Sequence, residues 1–178
     1  ACAPVAFAST IPVEISPGTT LQLSGQSAMS NDLFVSLGVN PSNRFALALG
    51  YASPSNNFTG SIRYSLTENF AIAAIYTDSN PALWNLDFRF KHDFDDSLAL
   101  VGVIGYDGTY VNAAGQAEYW FTEQFAGNAG IGYNQSILLI LGGEFLIHPI
   151  NFGLDCRIPA GNPAAQTQVV LFVAYKFN

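Results

Sequence analysis

Strict alternation of apolar and polar residues, in short segments with no helical period, is the feature that most limits how this chain can fold. In residues 58–66 the two sets are Phe58, Gly60, Ile62, Tyr64 and Leu66 against Thr59, Ser61, Arg63 and Ser65. A period of two places each set on its own face of a β-strand. The alternation therefore predicts strands that have one apolar face and one polar face.

Turn residues divide the chain, after its first 18 residues, into segments of similar length. Each segment is close to the roughly 9–11 residues with which a tilted strand crosses a bilayer. The predicted strands, about twelve in number, are Thr20–Met29, Asp32–Asn40, Arg44–Ala52, Phe58–Leu66, Asn69–Thr77, Leu83–Asp93, Ser97–Tyr106, Tyr110–Phe121, Gln124–Asn134, Ile137–Ile147, Asn151–Pro159 and Gln166–Phe177.

The composition is apolar without indicating a membrane helix. Hydrophobic residues make up 49% of the chain and charged residues 11%. In a soluble domain, charged residues usually make up about a quarter of the chain. No apolar run approaches the roughly 20 residues that a membrane helix needs. The net charge of −7 argues against nucleic acid as a partner.

The basic residues all share the polar parity of their segments. They are Arg44, Arg63, Arg89, Lys91, Arg157 and Lys176. A Lys or Arg that faces lipid costs about 2–4 kcal/mol at the midplane of the bilayer, so their exclusion from the apolar face is typical of a membrane barrel. A closed barrel also pairs every backbone group, as the membrane interior requires.

Several stretches resemble the bacterial outer-membrane β-barrel proteins. "SLTENFAIAAIY", "DFDDSLALVGVIGY" and "WFTEQFAGNAGIGY" are similar to a periplasmic turn followed by an outgoing strand of that family, and "VVLFVAYKFN" is similar to its final strand. The resemblance covers residues 19–178. It implies an all-β fold, a single antiparallel up-and-down transmembrane β-barrel with short loops on both rims. It also implies location in the outer membrane, with the lipid bilayer as partner, and a porin-like channel for small solutes or ions.

The polar parity places a set of charged and amide side chains inside such a barrel. We predict that the lumen is lined by Arg63, Asp87, Arg89, Lys91, Gln116, Glu118, Asn128, Glu144, Asp155, Arg157 and Lys176. One interpretation is a polar pore whose charges select solutes. The other is a narrow structural barrel whose lumen is closed by ion pairs and amide hydrogen bonds. A barrel of about twelve strands lies between the sizes that fill their interior and those that leave a channel.

No enzymatic or metal site is predicted. The two histidines, His92 and His148, both fall at the rim that the resemblance makes periplasmic. We interpret them as rim residues and predict no catalytic residues. The acidic turn Asp93–Asp96 lacks the spacing of a calcium loop, so we interpret it as a solvated turn. No cofactor is expected.

The first 18 residues form a separate segment that is apolar and interrupted by prolines. It could be a periplasmic tail, a lumen plug, or an extended arm that adds a strand to a neighbouring molecule. The arm defines an alternative function, a self-assembling surface or extracellular β-barrel subunit. The two cysteines, Cys2 and Cys156, could form a disulfide within or between chains, and a homo-oligomer is a possible assembly.

Overall fold

Twelve antiparallel strands form one closed barrel in the computed structural model, which describes residues 18–27, 33–53, 55–79, 81–161 and 166–177. Consecutive strands pair along the chain, and β1 also pairs with β12 to close the sheet. The strands are β1 Gly18–Ser27, β2 Leu33–Asn40, β3 Phe45–Ser53, β4 Asn57–Ser65, β5 Phe70–Asp78, β6 Leu83–Asp93, β7 Leu98–Tyr106, β8 Val111–Trp120, β9 Phe125–Tyr133, β10 Ile137–Ile147, β11 Ile150–Ala160 and β12 Gln168–Phe177.

The predicted fold class and strand order are confirmed. The largest shifts are at the starts of β1 and β12, each by two residues, and most other bounds move by one residue. Met29, the predicted end of the first strand, lies outside the described residues. Arg44, predicted to begin the third strand, instead lies exposed in the turn before β3. Residues 1–17, most of the predicted N-terminal arm, lie outside the described residues, so the arm and its division from the barrel stay predictions.

Short polar side chains fix the turns on one rim. Asp95 Oδ1 accepts hydrogen bonds from the backbone N–H groups of Ser97, at 2.7 Å, and Leu98, at 2.9 Å. In the equivalent turn after β8, Thr122 Oγ1 accepts from the N–H groups of Gln124 and Phe125. Asp and Thr favour turns because their oxygens can replace a backbone acceptor. In the acidic turn 93–96, the carboxylate of Asp95 therefore stabilises the turn itself.

The outer face of the barrel is a continuous band of exposed apolar side chains. Large hydrophobic residues on alternate strand positions are exposed on every strand, for example Leu49 at 72% and Trp84 at 68%. A monomer in water rarely exposes apolar patches of more than a few hundred Å², so this exterior matches lipid. The described residues include no helix that is long and apolar enough to cross a membrane.

We expect an arginine on the outer face to destabilise the barrel far more than one on the inner face of the same strand. Ile62 is outward and 50% exposed, while its neighbour Ser61 faces the lumen and is half-buried. Ile62→Arg should lower the free energy of unfolding by about 2–4 kcal/mol, because the charge would sit in lipid. Ser61→Arg should cost clearly less, and urea unfolding in liposomes measures both. Equal costs would contradict the assignment of the two faces.

Candidate functional site

The predicted lumen residues all lie on the inner face of the barrel. Those that are buried are Asp87, Gln116, Asn128, Glu144, Asp155 and Arg157, and those that are half-buried are Arg63, Arg89, Lys91, Glu118 and Lys176. Their neighbours along each strand are mostly exposed apolar residues of the outer face. The structure therefore brings these side chains into one interior, while their role in lining a conducting pore stays a prediction.

One group of charges centres on the ion pair between Asp87 and Arg89 on β6. Arg89 Nη2 lies 2.8 Å from Asp87 Oδ2, and the Asp87 side chain is fully buried. Arg63 on β4 lies close enough to Arg89 for the two positive charges to repel each other. At the level of these two arginines, the strand between them, β5, contributes Ala71 and Ala73, both buried. Small side chains on β5 thus leave room for two guanidinium groups above them.

An amide network extends this group across β6, β7 and β8. Asn85 Nδ2 donates to Asp87 Oδ1, and Asn112 Nδ2 donates to Asn85 Oδ1 at 3.1 Å. All three side chains gather above Gly105, where even a methyl group would overlap them. Asn85 is a supporting residue that the prediction did not single out, although its parity with Asp87 was visible in the sequence.

A second group of charges lies on β8–β11. Glu144 Oε2 accepts a 2.9 Å hydrogen bond from Asn151 Nδ2, and Arg157 Nη2 lies 4.0 Å from Asp155 Oδ2. Glu118 Oε1 accepts from the indole N–H of Trp120 at 2.8 Å. Charges of both signs therefore meet on this wall as well.

Lys91 and Lys176 lie nearer the rim. Lys91 Nζ is 3.0 Å from Asp93 Oδ1, and both side chains are partly exposed. Glu118 is also close enough to Lys91 for their charges to interact. Lys176 lies on the last strand, where its side chain passes beside Gly18 at the start of β1. These lysines place positive charge at the entrance on the side where the chain of the barrel begins and ends.

The lumen is filled unevenly. Between β7 and β10 it holds a cluster of buried aliphatic side chains, namely Val101, Val103, Ala114 and Ile140. The inward side chains of β2–β4 are half-buried instead, apart from Ala46 and Ser65. One side of the interior is therefore packed like a protein core, and the other is reached by solvent.

The remaining predicted residues lie away from these groups. His92 is exposed at the rim, where its ring packs edge-on against Phe94 with centroids 4.7 Å apart, and His148 is exposed in the turn before β11. Cys156 is half-buried on the outer face of β11. Its predicted partner Cys2 lies outside the described residues, so the disulfide stays a prediction. No metal-binding group of three or more side chains occurs in the part of the chain that the structure describes.

Solved structures with a similar fold include two porins and an outer-membrane protein. The KdgM porin matches with a TM-score of 0.68 at 15% identity, over 89% of this chain and 99% of that chain. The NanC porin matches with a TM-score of 0.63 at 10% identity, over 89% of this chain and 100% of that chain. Omp33 of Acinetobacter baumannii matches with a TM-score of 0.61 at 10% identity, over 93% of this chain and 99% of that chain. The chain has a porin fold. The expected resemblance to bacterial outer-membrane barrels is thus confirmed for the fold.

These similarities hold at the level of structure. No protein-family model matches the sequence, and neither does any curated protein. The KdgM porin has also been solved in complex with disordered oligogalacturonate, and that structure matches this chain at 12% identity.

The Asp87–Arg89 pair should be strongly coupled in stability. Removing one partner of a buried ion pair costs about 3–5 kcal/mol, since the other charge stays buried without compensation. Asp87→Asn alone should approach this range, whereas adding Arg89→Gln should recover part of the loss. Urea unfolding of both single variants and the double variant in liposomes measures the coupling. Additive losses would show that the 2.8 Å contact contributes no pairing energy.

Proposed function

We propose that this protein is a channel for small polar solutes in a bacterial outer membrane. The observation that supports this most strongly is the contrast between its two faces. Apolar side chains cover the outside, and charged or amide side chains from eight of the strands converge on the inside. A lipid bilayer is the partner that this outer face fits. We assign no catalytic role to the protein.

A conducting lumen is favoured over a fully closed one by the half-buried wall of β2–β4. Solvent reaches Ser36, Ala48, Gly50, Thr59 and Ser61 on that wall. These side chains are small, so they leave space beside the packed aliphatic cluster. A barrel of twelve strands is intermediate in size, so we expect the path to suit ions and small solutes better than folded or branched molecules.

The lumen carries nearly as many acidic as basic side chains, so we expect weak charge selectivity. The basic residues are Arg63, Arg89, Lys91, Arg157 and Lys176, and the acidic residues are Asp87, Glu118, Glu144 and Asp155. Oligogalacturonate, present in the KdgM complex, is a polyanion. We propose that this chain does not favour such a polyanion over a neutral oligosaccharide of the same length, because paired charges cancel much of the field.

Neutralising one charge should shift ion selectivity in a direction set by its sign. Arg63→Gln should move the reversal potential in a KCl gradient towards cation preference, and Glu118→Gln should move it towards anion preference. Both residues are half-buried in the lumen, so their fields reach permeating ions. Single-channel recording in planar bilayers gives the reversal potentials.

Ser61→Gln is the matched control, since it changes a lumen side chain on the same strand as Arg63 without altering charge. It should leave the reversal potential unchanged. Correctly folded, heat-modifiable barrels that carry no current would reject the channel proposal. They would leave a structural barrel or a self-assembling subunit as the function. In the second case, deletion of residues 1–17 should abolish assembled particles in electron micrographs.

A further inference from the structure

We propose that solutes pass along the side of the lumen formed by β2–β4, and that the ring of Phe34, seated on Gly50, sets the width of this path. The inference rests on the proposed channel function. It deepens that proposal by naming the wall and the residue that control passage.

The opposite side of the lumen is closed by tight packing. Val103 is 1% exposed, Gln116 1% and Ile140 2%, although all three side chains point into the barrel. Side chains with so little exposure are closely packed, and Gly130 allows the Gln116 side chain to pack against its backbone. A solute on this side would have to displace closely packed side chains.

The side formed by β2–β4 is lined by small residues over most of its length. The pairing register places Gly38 beside Ala48 and Ala48 beside Ser61, and it places Gly50 beside Thr59. All five are half-buried. Narrow side chains in adjoining rows of one wall produce a groove along the strands, open to solvent.

Phe34 is the large apolar exception on this wall. It points inwards from β2 on the parity of Ser36 and Gly38, and it is half-buried. Its ring lies directly over Gly50 on β3, so closely that a methyl group on Gly50 would overlap the ring. The ring can lie this close to the wall because residue 50 has no side chain.

This contact makes the path width depend on residue 50. A methyl group there must push the Phe34 ring away from the wall, and we expect the ring to move towards the lumen. Gly50→Ala should thus narrow the path, whereas Phe34→Ala should widen it. The double variant should behave like Phe34→Ala, because the added methyl group then has no ring to displace.

Two measurements test this with the full chain reconstituted in bilayers. Single-channel conductance should fall roughly two-fold in Gly50→Ala and rise in Phe34→Ala and in the double variant. The second measurement does not need current. Ser61→Cys, in a background with Cys2→Ser and Cys156→Ser, is labelled with a membrane-impermeant thiol reagent and followed by mass spectrometry. Its labelling rate should fall with Gly50→Ala and recover when Phe34→Ala is added.

Matched controls separate this effect from general disturbance of the barrel. Gly115→Ala places a methyl group in open space, with no atom within 4 Å, and should change neither readout. Phe172 covers Gly153 in the same way on β12, but it is buried, so Phe172→Ala should raise conductance less than Phe34→Ala. Ala114→Cys, on the packed side, should label much more slowly than Ser61→Cys.

The outcomes decide the inference independently of the channel proposal. Equal labelling of Ala114→Cys and Ser61→Cys would overturn the assignment of the path. A Gly50→Ala effect that persists without the Phe34 ring would overturn the role of Phe34. Absence of current, with the labelling pattern as expected, would reject conduction but support a solvent path controlled by Phe34.

Discussion

Closure of the sheet is the constraint on which the rest of this structure depends. In lipid, an unpaired backbone N–H or C=O group costs several kcal/mol, so a sheet edge inside a membrane is excluded. Pairing of β1 with β12, from Thr19 opposite Phe177 to Ser27 opposite Val169, removes the two edges at once. Once the sheet is closed, side chains alternate between lipid and lumen. The outer face must then be apolar, and polar side chains are confined to the inner face.

Closure also confines charged side chains to the lumen, where they need partners of opposite charge. Charged residues are excluded from the lipid face at the depth of the membrane core, so those that the strands carry at that depth must share the lumen. The structure places Asp87 beside Arg89 and Asp155 beside Arg157, each pair two residues apart on one strand. Pairing within a strand is independent of how strands are arranged around the barrel. It therefore compensates these four charges without relying on contacts across the lumen.

Alternation in the sequence predicted the strands and the face of each charged residue, because the period of two is a local property of the chain. The up-and-down order of the strands was predicted from the resemblance to outer-membrane barrels. The uneven filling of the lumen could not be predicted in this way. Val101, Gln116 and Ile140 come together because the register sets Val101 opposite Gln116 and then Gly130 between Gln116 and Ile140. That register is a property of the closed sheet. The spacing of Asp87 and Arg89, by contrast, was a local signal from which their pairing could have been predicted.

Aromatic rings on glycine recur in this barrel, and the recurrence gives Phe34 its significance. Phe90 covers Gly102 on the outer face, Phe172 covers Gly153 inside, and Phe34 covers Gly50 inside. A ring that covers a neighbouring glycine shields exposed backbone and restores contacts that the missing side chain would have made. Phe90 shields backbone from lipid, and Phe172 does so within packed surroundings. Phe34 alone among these three lies on the solvent-reached side of the lumen, so there the same stabilising contact also determines how much open space remains.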